Sequence, residues 1–267
     1  MEKEAHKRQD STVFEGMTSI RACIRAMEEG LTDRRIERIC VDRNKATARS
    51  GELGYLRAMG EKHGFPVELT DTAALDAMTL GTSHGGFAAV CTARTILPLT
   101  PDAIVPGQFV AWIEGIEDPY NFGYALRSLY ACGVDMLVLS PRNWMNAAGV
   151  VCRSSAGASE LLPMYIAENE NVTDWFHDKG YKVACAGIRD SVSSFDAKLT
   201  KPIFLIVGGE KRGISRKLLD RADLIVRIDY GRAFRGSLSA ASACAMLAYE
   251  VLRRNARRIS TAASESI

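Results

Sequence analysis

Three short segments combine residue types and spacings that could do chemistry. The first is Glu117-Asp118-Pro119-Tyr120-Asn121-Phe122-Gly123-Tyr124-Ala125-Leu126-Arg127. Pro119 fixes a turn, and Asn121 is able to cap the helix that follows with its side chain. Gly123 lets another group approach the first turn, and Arg127 lies under two turns further on. Spacing alone leaves open whether this is a ligand-facing turn or only a capped helix with a surface arginine. The second is Val207-Gly208-Gly209-Glu210-Lys211-Arg212-Gly213-Ile214-Ser215. A glycine-rich turn between strand and helix can present backbone N–H groups to a ligand. It lacks the GxxxxGK[ST] of a P-loop and the GxGxxG of a dinucleotide fold, so a plain tight turn stays open beside a binding turn. The third runs Ile228-Asp229-Tyr230-Gly231-Arg232-Ala233-Phe234-Arg235-Gly236-Ser237-Leu238-Ser239 into a helix rich in small residues.

All three follow expected strands. In open α/β sheets ligands bind beyond the carboxyl ends of strands, so these loops can converge. The strands in question are 109–113, 136–139, 181–186, 203–207 and 224–228, short and almost wholly apolar, as parallel strands buried on both faces are. Helices are expected over 121–132, near 145–152, over 171–179, 215–221 and 238–254. Before them, helices at 18–29, 53–63 and 72–78 alternate with strands at 36–41, 66–69 and 87–91. Residues 1–15 are polar and expected to be flexible. The expected organisation is therefore a flexible 1–15, a small α/β domain over 16–97, a linker over 98–107 marked by Pro98, Pro101 and Pro106, and a larger α/β domain over 108–267.

Composition narrows the class. No apolar run approaches the roughly 20 residues a bilayer-spanning helix needs, and the charged start is no secretory signal, so no membrane role and a cytoplasmic location are expected. The seven cysteines, at 23, 40, 91, 132, 152, 185 and 244, form no CxxC, and the four histidines complete no metal pattern. They read as small buried hydrophobes, and no metal is expected. A net charge of +2 does not announce a nucleic-acid binder, but arginines cluster at 21/25, 34/35/38, 232/235 and 253/254/257/258. Each cluster is a solvated face or part of an RNA-binding one.

The order DPxNxGxxxR, then VGxExxG, then I-x-x-G…SL before a small-residue helix resembles the SpoU- or TrmH-type branch of the SPOUT RNA methyltransferases. Cys152-Arg153-Ser154-Ser155-Ala156-Gly157-Ala158 and Leu161-Leu162-Pro163 resemble that family's SxGA…LP stretch. His84-Gly85-Gly86-Phe87 resembles the turn closing its small substrate-binding domain, which is similar to ribosomal protein L30e. The resemblance covers nearly the whole chain. It implies an L30e-like N-terminal α/β domain and a C-terminal α/β domain with a deep trefoil knot. It also implies S-adenosyl-L-methionine as cofactor, transfer to a ribose 2′-hydroxyl of rRNA or tRNA, and a homodimer through the C-terminal domain. Tyr124, Leu126, Leu129 and the helix from Leu238 to Leu252 are the surface expected for that dimer.

Carried over by position, Asn121, Arg127, Glu210 and Ser237 would be catalytic. Gly208, Gly209, Gly213, Ile228 and Leu238 would hold the cofactor. Arginine is a poor base, so Arg127 is expected to position phosphate and stabilise a developing alkoxide. Glu210 would fix its loop or hold Arg127. One position departs: Ser239 stands where the family has asparagine. That leaves a second expectation, a catalytically weak or inactive RNA-binding protein of the same fold.

Overall fold

A computed structural model describes residues 12–80, 84–141, 147–167 and 169–256. In chain order the elements are β1 (Val13–Glu15), α1 (Gly16–Glu28), β2 (Ile36–Asp42), α2 (Ser50–His63), β3 (Val67–Thr70), α3 (Thr72–Met78) and β4 (Phe87–Cys91). Then come β5 (Leu97–Pro98), a 3₁₀ turn (Pro101–Ala103), β6 (Phe109–Glu114), α4 (Pro119–Ala131), β7 (Met136–Leu139), α5 (Ala148–Ser154), α6 (Ala158–Leu161) and β8 (Met164–Ile166). The chain finishes with α7 (Val172–Asp178), β9 (Lys182–Ala186), β10 (Val192–Ser193), β11 (Ile203–Gly208), α8 (Arg216–Leu219), β12 (Leu224–Arg227) and α9 (Ala240–Asn255). Two compact units form. One gathers the described residues up to Ile96 with Asp118–Arg127 and the described part of Arg142–Leu162; the other holds the rest.

In the first unit a four-stranded mixed sheet has the order β1-β4-β2-β3, with only β2 and β3 parallel. Helix α1 buries Ile20, Cys23 and Ile24, the stripe its spacing predicts, against Phe14, Ile39, Phe87 and Cys152. Residues 13–15 depart from expectation. They form a buried strand whose Val13 and Phe14 are 6% and 0% exposed, not part of a flexible terminus. Residues 1–11 lie outside the described part. At the His84 turn, the Gly86 N–H donates to His84 Nδ1 at 3.0 Å, which leaves Nε2 to donate to Asp76 at 2.8 Å.

The same unit holds a buried polar network that the sequence does not announce. Arg34, expected on a solvated or RNA-binding face, is 2% exposed. Its Nε donates to Glu160 at 2.9 Å, its Nη1 donates to the Thr92 carbonyl at 2.6 Å, and its guanidinium lies 4.6 Å from the centre of the Phe14 ring. Arg94 donates to the Ser159 and Leu162 carbonyls at 2.7 and 2.9 Å. Arg153 of α5 bonds Glu15 at 2.5 Å. A guanidinium carries five donors and tolerates burial only when they are used. Here they tie α5 and α6 to the first sheet.

Helix α4 starts two residues earlier than expected. The Asp118 carboxylate, not Asn121, caps it, accepting the Asn121 N–H at 2.8 Å, and Pro119 takes the first helical position. Gly123 meets α5: a Cβ there would fall 1.8 Å from Ser154 Oγ and 2.8 Å from its Cβ. Only glycine allows that approach.

The second unit is built on an eight-stranded, wholly parallel sheet of order β10-β12-β9-β11-β6-β7-β8-β5. Its central strands are buried throughout, as in Ile203–Val207. Phe204 stacks on Phe176 with ring centres 3.7 Å apart, and Phe176 meets Tyr181 edge-on. The proline stretch at 98–107 is not a free connector. Leu97 and Pro98 pair with Tyr165 and Ile166 at the sheet edge, a place that tolerates proline, and Leu99 and Ile104 enter the core. All seven cysteines are free; six are buried and Cys132 is half-buried. Burial alone pushes the Cys244 thiol up to about 12. Among the described residues no helix is long and apolar enough to cross a membrane.

Two substitutions test these contacts. Gly123→Ala is expected to lose about 1–3 kcal/mol through overpacking, with part regained when Ser154→Gly is added. Urea unfolding of the double-mutant cycle checks it; a single variant as stable as the parent would refute the tight contact. Glu160→Gln removes the carboxylate charge that the buried Arg34 guanidinium faces and should destabilise by about 3–5 kcal/mol. Replacing Arg34 and Glu160 together by apolar residues should cost less, by the same measurement.

Candidate functional site

The sheet of the second unit ends in loops at the carboxyl ends of β6, β11 and β12, and these loops are locked to one another. The turn after β11 packs against the turn after β6. Gly209 N–H donates to the Glu114 carbonyl at 2.5 Å, and Gly213 N–H returns to the Gly209 carbonyl at 3.0 Å. A Cβ on Gly209 would lie 2.1 Å from the Gly115 carbonyl oxygen, and one on Gly208 would lie 2.3 Å from the Gly213 carbonyl carbon. Gly115 and Gly213 have φ of +95° and +63°, the left-handed region that glycine enters without strain. The tight-turn and ligand-turn readings of this segment therefore meet. The glycines are required for backbone-on-backbone packing, and the exposed part of the turn is Glu210, Lys211, Arg212 and Gly213.

Charged side chains brace the turn. Glu114 accepts the Ser215 N–H at 3.0 Å, and Lys211 pairs with Glu117 at 2.6 Å. Glu114 and Gly115 were not singled out in the sequence. An acid-glycine pair directly after a strand was the available signal.

The turn also reaches the third segment. Glu210 Oε1 accepts the Ala240 N–H at 3.4 Å, at the start of α9. Ser239 is the residue before that helix, and its Oγ accepts the Ser242 N–H at 3.2 Å. The position that departs from the family pattern is thus an N-cap. Serine and asparagine rank together as caps, each offering one side-chain oxygen to the first turn. Leu238 N–H donates to the Tyr230 hydroxyl at 3.3 Å, which closes the loop on itself. Ser237 is exposed; Ile228 and Leu238 are half-buried. Asp229, beside Ile228, is held below its ordinary carboxyl value by the Ser193 hydroxyl and then by Arg227.

Of the residues singled out in the sequence, Gly208, Gly209, Glu210, Gly213, Ile228, Ser237 and Leu238 all belong to this unit. The geometry joins Glu210 to the segment holding Ser237 and Leu238. Asn121 and Arg127 belong to the first unit, on α4, Asn121 half-buried and Arg127 exposed. On that helix Leu126 and Leu129 are fully buried and unavailable to a partner, contrary to expectation. The exposed apolar side chains there are Tyr120, Tyr124 and Tyr130, and on α9 they are Met246 and Tyr249. Among the described residues no group of three or more histidine, cysteine or carboxylate side chains could hold a metal.

Comparison with known proteins gives two family matches. Residues 108–249, more than half the chain, match the SpoU rRNA Methylase family. Residues 14–97 match the RNA 2′-O ribose methyltransferase substrate binding family. A Staphylococcus haemolyticus protein named as a TrmH family tRNA/rRNA methyltransferase is 31% identical over 54% of this chain; the match spans only 58% of that protein. A Staphylococcus saprophyticus protein of the same name is 25% identical over 78% of this chain and 85% of its own. The solved structure of an AdoMet-bound rRNA methyltransferase from Sinorhizobium meliloti superposes with a TM-score of 0.72 at 21% identity, covering 91% of this chain and 87% of that one. With its α/β architecture, its parallel sheet and a family match over more than half its length, the chain belongs to the SpoU rRNA methylase family.

Proposed function

We propose that this chain is an S-adenosyl-L-methionine-dependent RNA methyltransferase acting on a ribose 2′-hydroxyl of rRNA or tRNA. One observation carries the reading: a match to a 2′-O ribose substrate-binding family is followed, in order, by a match to the methylase family. The glycine turn and the capped start of α9 both fall inside the second match. In this reading residues 16–97 are an L30e-like RNA-binding domain, 98–107 join the two parts, and 108–267 are the methyltransferase domain, with the trefoil knot its family implies. The partner is RNA, and the active form is a homodimer through the C-terminal domain. The exposed Tyr124, Met246 and Tyr249 supply apolar surface of the kind such an interface uses.

When bound, the cofactor supplies a methyl group already activated on a sulfonium. The protein then has to hold, align and shield. Gly208, Gly209 and Gly213, with Ile228 and Leu238, hold the cofactor through main-chain groups. Glu210 fixes the start of α9 through the Ala240 N–H and so sets where Ser237 stands. Asn121 and Arg127 address the ribose and its phosphate. A guanidinium keeps its proton at any working pH, so Arg127 offers charge to phosphate and to the developing oxyanion. The inactive alternative rested on Ser239; against it stand the family match and the N-cap that Ser239 keeps at α9.

Isothermal titration should give micromolar binding of S-adenosylmethionine, and Arg127→Ala should abolish methyl transfer while leaving that binding intact. Loss of cofactor binding in the variant would mean that Arg127 serves the cofactor instead. Ser239→Ala should lower stability by about 1 kcal/mol, and Ser239→Asn should keep both the thermal midpoint and methyl transfer. An asparagine variant that folds but loses transfer would show that serine does more than cap.

A further inference from the structure

The loop between β12 and α9 carries an exposed aromatic pair that the cofactor assignment does not use. Phe234 is 59% exposed and Tyr230 38%, with ring centres 5.7 Å apart and planes tilted by 60°. The pair is seated on its own loop. The Tyr230 hydroxyl accepts the Leu238 N–H, and the tip of the Phe234 ring sits over Gly236, where a Cβ would fall 2.5 Å from Cζ. A third ring leaves the neighbouring strand at the same end of the sheet. Phe195, 67% exposed, follows Ser193, whose hydroxyl donates to Asp229 just before Tyr230. Arg232 lies between the two rings in sequence and Arg235 follows Phe234, both exposed. From Arg227 to Arg235 three arginines meet one carboxylate, Asp229, whose charge is matched by Arg227 at 2.8 Å.

Exposed rings already held in place lose little freedom when something stacks on them. Rings interleaved with arginines suit a strand with flat bases and a phosphate backbone, since every base has a face to stack and every linkage a charge to meet. We propose that Phe234 and Tyr230, with Arg232 and Arg235 on the same loop, form a stacking platform for an unpaired stretch of RNA. The inference rests on the RNA methyltransferase reading and sharpens it: the nucleotides flanking the target are presented single-stranded.

The test compares the full-length chain with Phe234→Ala and Phe234→Trp. Fluorescence anisotropy reads binding to a short unpaired RNA and to the same strand in a duplex. Titration reads S-adenosylmethionine, and methyl transfer to bulk RNA is measured in parallel. Phe234→Ala should weaken unpaired RNA about 5- to 100-fold, the range one base stacked on a ring supplies. The tryptophan variant should keep that affinity, and duplex and cofactor binding should not move. Unchanged affinity for unpaired RNA overturns the platform, as does an equal loss on duplex. Loss of cofactor binding would reassign the ring to the cofactor. A changed oligomeric state without RNA would make the face a contact between copies of the chain. If the parent chain transfers methyl groups and the alanine variant binds as well as the parent, only the platform fails. If the parent neither binds nor methylates RNA, the underlying reading fails too.

Discussion

Glu160 sits 2% exposed and accepts a hydrogen bond from Arg34, 126 positions earlier, which is itself 2% exposed. Much of the first unit depends on that contact. A buried carboxylate and guanidinium hold each other in one geometry, because any departure strands a charge away from water. Arg94 adds two donors to the carbonyls around α6, and Arg153 ties α5 to Glu15. With α5 held, Ser154 is held, and Ser154 is what α4 meets at Gly123. The helix bearing Asn121 and Arg127 thus meets a helix held by an ion pair whose members stand in none of the three segments.

The second unit reaches order by another route, with glycine in the place of charge. Gly208 and Gly209 let the turn after β11 touch Gly115 and Gly213 backbone to backbone, and no side chain could share that space. Glu210 then reaches the first N–H of α9, beside the Ser239 cap. Three segments far apart in sequence become one rim at the carboxyl ends of parallel strands, where such sheets bind ligands. In the proposed reaction the reactive group arrives with the cofactor, which leaves alignment as the protein's main task.

The regular elements were legible wherever burial on both faces wrote itself as an apolar run. Ile203–Gly208, Met136–Leu139 and Phe87–Cys91 lie within a residue of their expected bounds. Helix α1 showed its buried stripe for the same reason. The short pieces were not legible. Strand β1 has three residues, α6 has four, and β5 and β10 have two each, too few to express a period. Pro98 read as linker because proline favours extended chain, and the extended chain found an edge to pair with. Leu126 and Leu129 read as partner surface, yet the fold spends that face of α4 inward.

The sequence by itself determined the alternation of strands and helices, the parallel character of the large sheet, the three loops and their order. Each follows from properties of consecutive residues: apolar runs, glycine and proline positions, and caps. Tertiary structure alone decided that Arg34 faces inward, that Asp118 rather than Asn121 caps α4, that Gly209 answers Gly115, and that Ser239 keeps the cap of α9. These depend on which groups meet across long separations, and pairing between distant donors and acceptors leaves no period in the chain to read.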